Sequence, residues 1–388
     1  MQIIVGMRRL EETLQRSAGN GDNWHMTWAR DGKQYVVLGD GKGWPDAEGR
    51  TGPTFHTRLY GLHGDPPALT FAHLHGYPDL IGEESPPQNR FYGAGVLAID
   101  DGIYHFLGAP NPPSDQPAPR YVGSKLVFSP DQGHSWNNQD GSALCWENWA
   151  DRNRGNMMFF DEPDEAFSLI TLLQMGKNYE HNSDGYVYGY APFGNGEGAA
   201  NQLAMFRVAK DRILDRSAYE FFVAHNRDGS ARWSKHIEDR GVVHAFSGCY
   251  WPWTCWHPSV VYNAPLGVYM MANWGMGCSA DGPAMDAPSY LGFWVAETPW
   301  GPWRQVYEET EWTPGGDLQA RAYQPQISPR WIARDGRSFW LAFSDFQRVD
   351  GEYPYYCFNC QQVEILTAQI STSRGPATDT FARWWSKQ

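Results

Sequence analysis

The chain has 388 residues, with 41 Gly, 27 Pro, 15% aromatic residues, only 19% charged residues and a formal net charge of -13. The negative balance excludes nucleic acid and anionic membrane surfaces as partners, since either needs a basic face to offset phosphate repulsion. Aromatic side chains suit pleated surfaces and Gly and Pro punctuate them, so this mixture predicts an all-β protein of short strands and tight turns.

The opening segment, "MQIIVGMRRLEETLQRS", lacks the apolar core of a secretory signal. No apolar run approaches the roughly 20 residues of a membrane span. A soluble chain is expected, cytoplasmic unless a leader has been removed, in which case secreted or periplasmic. A strand-turn-strand unit then recurs five times. In chain order it reads "WHMTWARDGKQYVVLGDG", "GAGVLAIDDGIYHFLGAPN", "SLITLLQMGKNYEHNSDGYVYGYAPFGN", "HPSVVYNAPLGVYMMANWG" and "QPQISPRWIARDGRSFWLAFSDF". The turn is often Asp-Gly, and in the third copy a long insertion replaces it. Further strands follow in "SKLVFSPDQGHSW", "LAMFRVAKDRIL", "YLGFWVAETPWGPW" and "YYCFNCQQVEIL". Radial repetition of small antiparallel sheets is the β-propeller. The expectation is one five-bladed propeller domain over 1–388, with blades near 20–80, 90–150, 156–245, 255–312 and 320–370 and closure by the N-terminal segment.

"SPDQGHSW", residues 129–136, resembles the Asp-box turn between outer strands of sialidases and other propellers. Asp131 is expected to bond backbone amides while Trp136 packs into the blade, a folding role. "AHLHG" places His73 and His75 two apart near Asp79, a plausible start for a Zn²⁺ site, although a solvated histidine pair is the simpler reading. The six cysteines, at 145, 249, 255, 278, 357 and 360, form no zinc-like pair of Cys-x-x-Cys units and read as buried free thiols.

In a propeller the inner strand of each blade runs along the axis and the second returns beside it. The start of the first strand and the end of the second therefore share one mouth. This rule gathers Asp22, Tyr92, Glu165, His257 and Gln324 from strand starts, and Asp40, Asn111, Asn195, Asn273 with Trp274, and Asp345 from strand ends. Carboxylates and amides bond hydroxyls and aromatic faces stack on sugar C–H surfaces, so a poly- or oligosaccharide is the expected partner. Asp22 and Asp40 flank one hairpin and supply the acid and the base or nucleophile that glycosidic cleavage needs. In "GKNYEHNSDG" Lys177 lies on the opposite face if "SLITLL" is the inner strand, and joins the mouth if "MMFFDEP" is. It is carried as a binding candidate.

The segments "DNWHMTWARDGKQYVVLGDG", "GKNYEHNSDGYVYGYAP", "RVAKDRILDRSAYEFF" and "TPWGPWRQV" resemble a bacterial family of five-bladed propellers, formerly of unknown function and related to endo-D-arabinanase-type glycoside hydrolases. The resemblance spans the first four blades. It implies a catalytic aspartate pair in the first blade, at the positions of Asp22 and Asp40. "GKGW" follows Asp40 where many arabinan-cutting relatives have Thr, which leaves the substrate open beyond a glycan that includes arabinan-like chains.

Two other readings stand beside this one. A polysaccharide lyase acting on a uronic acid would use His257, Tyr262, Tyr323 and Arg321. A non-catalytic glycan-binding propeller would use its aspartates to hold hydroxyls or a Ca²⁺ ion. No cofactor is required by the hydrolase reading and no metal ligands are assigned; a structural Ca²⁺ stays open.

Overall fold

The sequence Ala-Arg-Asp-Gly occurs at 29–32 and again at 333–336, and it builds the same turn both times. The aspartate accepts the N–H two residues on, Lys33 to Asp31 Oδ1 and Arg337 to Asp335 Oδ1, each at 2.9 Å. The following glycine adopts φ of 86° or 72°, a left-handed conformation that costs glycine nothing. Each turn joins an inner strand to its return strand, Met26–Trp28 to Gln34–Leu38 and Ala322–Ile332 to Ser338–Asp345.

The computed structural model describes residues 2–44, 51–82, 90–110, 121–154, 158–194, 201–247, 256–279, 282–283, 287–347, 349–351 and 355–369. The molecule is an all-β, five-bladed propeller. The first blade orders Met26–Trp28, Gln34–Leu38, Phe55–Asp65 and Ala68–His73 from the axis outward. The second orders Tyr92–Ile99, Gly102–Pro110, Tyr121–Ser129 and Asn137–Asn138, with Met158–Phe160 also pairing its third strand. The third runs Thr171–Leu172, Tyr186–Pro192, Gln202–Ala209, Glu220–His225 and Ala231–Ser234. The fourth runs Ser259–Asn263, Val268–Gly275, Ser289–Ala296 and Arg304–Trp312. In the fifth, Ala322–Ile332, Ser338–Asp345 and Asn359–Gln369 are completed from the other end of the chain by Gln2–Arg9.

Inner strands bond to one another around the axis. Gly95 N–H donates to Ile170 O at 2.8 Å, Gln174 N–H to Val260 O at 2.9 Å, and Ile327 N–H to Ser259 Oγ at 2.9 Å. The axis itself is filled. His25, Thr171, Gln174, Ser259 and Gln326 leave a void of about 10 Å³, room for one water at most.

Each blade is sandwiched between two others, so its central strands are apolar on both faces, whereas outer strands alternate. Ser289–Ala296 is buried at every position, and Ala68–His73 alternates between exposed and half-buried. Phe106, Phe160, Phe167 and Phe206 fill the space between the second and third blades. Burial of one such ring stabilises by about 2–3 kcal/mol. Among the described residues no helix is long and apolar enough to cross a membrane.

The Asp box behaves as its sequence predicts. Asp131 accepts the N–H and the hydroxyl of Ser135 at 2.8 and 2.7 Å, and Trp136 is buried against Tyr77. His73 and His75 build no metal site. Asp79 is held by Arg58 at 2.8 and 3.0 Å and by His73 at 3.2 Å, and among the described residues no three His, Cys, Asp or Glu side chains converge on a point. Cys357 and Cys360 are buried free thiols. Cys145 departs from expectation: it is exposed, beside Glu147, past the last short strand pair of the second blade. Cys249, Cys255 and the side chain of Cys278 lie outside the described residues.

Candidate functional site

The first blade brings its two aspartates together by backbone pairing. Asp22 N–H donates to Asp40 O at 3.1 Å, and Gly39 N–H donates to Asp22 O at 3.0 Å. Gly41, at φ 143°, permits the approach: a Cβ there would stand 2.4 Å from Asn20 O. The glycines of "GD" and "GDG" therefore let two chain segments touch where the carboxylates meet.

The environments of the pair differ. Asp22 is 6% exposed; Oδ2 accepts the Tyr356 hydroxyl at 2.5 Å, and Oδ1 is buried with no hydrogen-bond partner among the described residues. Burial and then the neighbouring Asp40 charge push the Asp22 carboxyl well above the usual carboxylate range, against the opposing pull of the Tyr356 hydrogen bond. Asp40 keeps 39% of its side chain exposed, with Oδ1 3.5 Å from His56 Nδ1. His56 meets the ring of Tyr92 edge to face at 5.0 Å. One buried carboxyl biased toward its protonated form and one open carboxylate thus stand side by side, flanked by a phenol, an imidazole and a second tyrosine.

The heads of the inner strands are bent out of regular geometry. Asn23, Glu165, His257 and Gln324 all adopt φ between 53° and 61° without being glycine. Strain of this kind persists only where the surroundings over-determine it, and it gathers at functional sites. Gln324 is wholly buried, and neither amide atom has a partner among the described residues.

Not every residue named from the sequence reaches the pair. Tyr92 does, through His56. His257 is buried with Nδ1 3.2 Å from His25 Nε2, and burial drives its pKa down to about 3, so it is a neutral plug at the axis. Asn273 is buried in a crevice of about 190 Å³ between the third and fourth blades, with His244, Tyr290 and Gln305. Trp274 offers no free stacking face: it is buried between Trp256 and Tyr323 and donates its N–H to Ala322 O at 3.0 Å. Asp345 is turned into the fold, where it accepts the Arg321 N–H at 2.7 Å. Lys177 lies at the other mouth. Met158–Phe160 joins the second blade and Thr171–Leu172 is the inner strand of the third, so the Lys177 ammonium stands beside the Gly32 turn. Asn111 and Asn195 fall outside the described residues. Of the groups named for a lyase, Tyr262 follows its strand to the far side, away from His257. Tyr356 and His56 were missed. His56 lies within the third strand of the first blade and Tyr356 just before that of the fifth, and only the pairing of Gly41 with Phe55 and of Gly21 N–H with Tyr356 O, at 2.9 Å, places them.

Fold and site together define a five-bladed β-propeller with a carboxylate pair at one mouth. By sequence the chain matches no protein-family model and no curated protein. Among solved structures it is similar to a protein of Bacteroides ovatus ATCC 8483 provisionally named a hydrolase, with TM-score 0.53, 16% identity, and 90% of this chain and 87% of that one covered. Weaker likenesses are to the catalytic domain of a Coprinopsis cinerea GH62 α-L-arabinofuranosidase, with TM-score 0.49, 9% identity and 94% and 98% covered, and to an endo-arabinase of Bacteroides thetaiotaomicron, with TM-score 0.44, 12% identity and 90% and 96% covered. At these identities the likeness is one of fold.

Proposed function

We propose that this protein is a glycoside hydrolase that cleaves a glycosidic bond within a poly- or oligosaccharide, arabinan-like chains among them. The observation that carries the reading is the unequal pair: Asp22 buried beside the charge of Asp40, and Asp40 open to solvent. Asp22 serves as general acid, passing its proton to the glycosidic oxygen as the bond to the anomeric carbon breaks. Either Asp40 takes a proton from the water that attacks the anomeric carbon, or Asp40 attacks that carbon itself and a water deprotonated by the Asp22 carboxylate then displaces it, breaking the ester bond and returning the proton to Asp22. Tyr356 holds Asp22 in place through Oδ2 and leaves Oδ1 for the leaving group. The name carried by the Bacteroides ovatus structure agrees with this chemistry.

The test is a panel of plant, algal and bacterial polysaccharides assayed for reducing ends and for ultraviolet-absorbing products. Reducing ends without absorbance are expected. Asp22→Asn and Asp40→Asn should each lower turnover by about 10²–10⁴-fold while the glycan is still bound. An unsaturated, absorbing product, or wild-type turnover in either variant, would refute the assignment.

A further inference from the structure

On the face opposite the aspartate pair lies a cavity of about 610 Å³, formed by the turns of the first, third, fourth and fifth blades. It falls within the range of about 300–1,000 Å³ typical of small-molecule clefts. The filled axis separates it from the mouth that carries Asp22 and Asp40. Nothing in the proposed cleavage uses it.

The lining is aromatic and mixed in charge. Trp28, Tyr262 and Trp340 line it half-buried, and Trp331 lines it buried. These rings are fixed before anything binds. Trp28 donates its N–H to Gly32 O at 3.2 Å, Trp331 donates to Asp65 Oδ1 at 3.0 Å, and Tyr262 packs on Tyr269 at 4.9 Å. Charged groups stand among them: Arg330, 3.2 Å from Asp65, together with exposed Glu180 and exposed Arg334. Two carboxylates beside two guanidiniums leave no net charge to select an ion of either sign, and the exposed ions weigh against a purely apolar guest. Rigid aromatic faces interleaved with acceptors and donors suit a polyhydroxylated ring, which presents C–H faces and hydroxyl edges together. Pre-set rings also reduce the entropy lost on binding.

We infer that this cavity is a second, non-catalytic saccharide-binding site, which holds a remote stretch of the polysaccharide whose bond is cleaved at the other mouth. The inference rests on the glycoside hydrolase reading for the identity of its ligand, though not for its geometry. Two attachment points on one chain raise effective concentration, so the site should matter for a polymer and not for a fragment too short to reach both faces.

Arabinan, D-arabinan, xylan and β-glucan serve as probes, each cast in a native gel whose retardation of the protein reports affinity, beside a reducing-end assay on the polymer and on a trisaccharide cut from it. Trp28→Ala removes a stacking face. Ala333→Trp occludes the cavity without deleting a contact, and melting curves confirm that both variants fold. The expected result is retardation of the wild type by at least one polymer, weakened at least tenfold in both folded variants, with turnover falling on that polymer and changing less than twofold on the trisaccharide. Equal retardation in the wild type and in a folded Ala333→Trp variant overturns the inference, and so does an absence of retardation by all four probes. Retardation that the variants abolish, on a polymer that is never cut, upholds the site and refutes the hydrolase reading instead.

Discussion

Tyr356 tempers the upward shift of the Asp22 carboxyl. Its hydroxyl favours the ionised carboxylate, while burial and the Asp40 charge favour the acid more strongly. Removing the phenol hydroxyl therefore moves the Asp22 pKa further up. In the proposed cleavage the acid must be protonated to act, so the titration of Asp22 would form the alkaline limb of the kcat/KM profile. Tyr356→Phe should shift that limb to higher pH and lower the plateau turnover roughly tenfold, because the hydroxyl also stabilises the negative charge that develops on Asp22 as its proton leaves. An unmoved alkaline limb would detach Tyr356 from the chemistry. The adjacency of Asp22 and Asp40 was legible in the sequence because both stand at the open end of one hairpin. Tyr356 was not: "YYCFNC" reads as an apolar strand start, and its position beside Asp22 depends on how the fifth blade docks against the first.

Joints between strands carry their own electrostatics, and Asp345 shows the sign clearly. Its Oδ1 accepts the N–H of Arg321, just before the inner strand of the fifth blade, and its own N–H donates to Tyr355 O at 3.2 Å near the start of the third. Burial raises its pKa to about 6, only partly offset by the Arg321 N–H and by Arg16, which lies 3.7 Å away. A carboxyl raised in the folded state favours folding fully below its unfolded pKa of about 3.9, and that contribution is lost as pH climbs through 6. The charged form then costs the fold about 3 kcal/mol at neutral pH. Asp345→Asn, which keeps an acceptor for Arg321, should exceed the wild type in urea stability at pH 7.5, and the difference should close by pH 4. A gap that widens toward pH 4 would reverse the assignment. Strand order and Asp-Gly turns were legible because local chemistry dictates them. Whether a side chain at a strand end faces the mouth or the neighbouring blade was not, since period-two alternation names a side of the sheet and both sides are buried here. Trp274 and Asp345 were misjudged for that reason, and Phe55–Asp65 with Ala68–His73 went unnamed because no repeat marks that hairpin.

At the scale of the ring, closure depends on Gln2–Arg9. Arg9 is buried; its Nη2 and Nε lie 2.6 and 2.8 Å from Glu309 of the fourth blade, and Nη1 donates to Gln361 at 2.7 Å. Glu309→Ala leaves that guanidinium with Glu11, 2.6 Å from Nη1, as its remaining counter-charge and should cost roughly 2 kcal/mol in urea unfolding. Arg8→Ala, which breaks an exposed pair with Glu364, should cost less than about 1 kcal/mol. Equal losses in the two variants would show that the closing strand is not pinned by Arg9. The same strand has a consequence in time. Gln2 pairs with Gln369, so during synthesis this strand meets its partner only after all the residues that separate them have been made. At 5–20 residues per second that interval is roughly 20 to 70 s. Throughout it, a ribbon rich in Ile, Val and Met has no sheet to join, and a cell producing this protein must shield the ribbon until the last blade emerges to receive it.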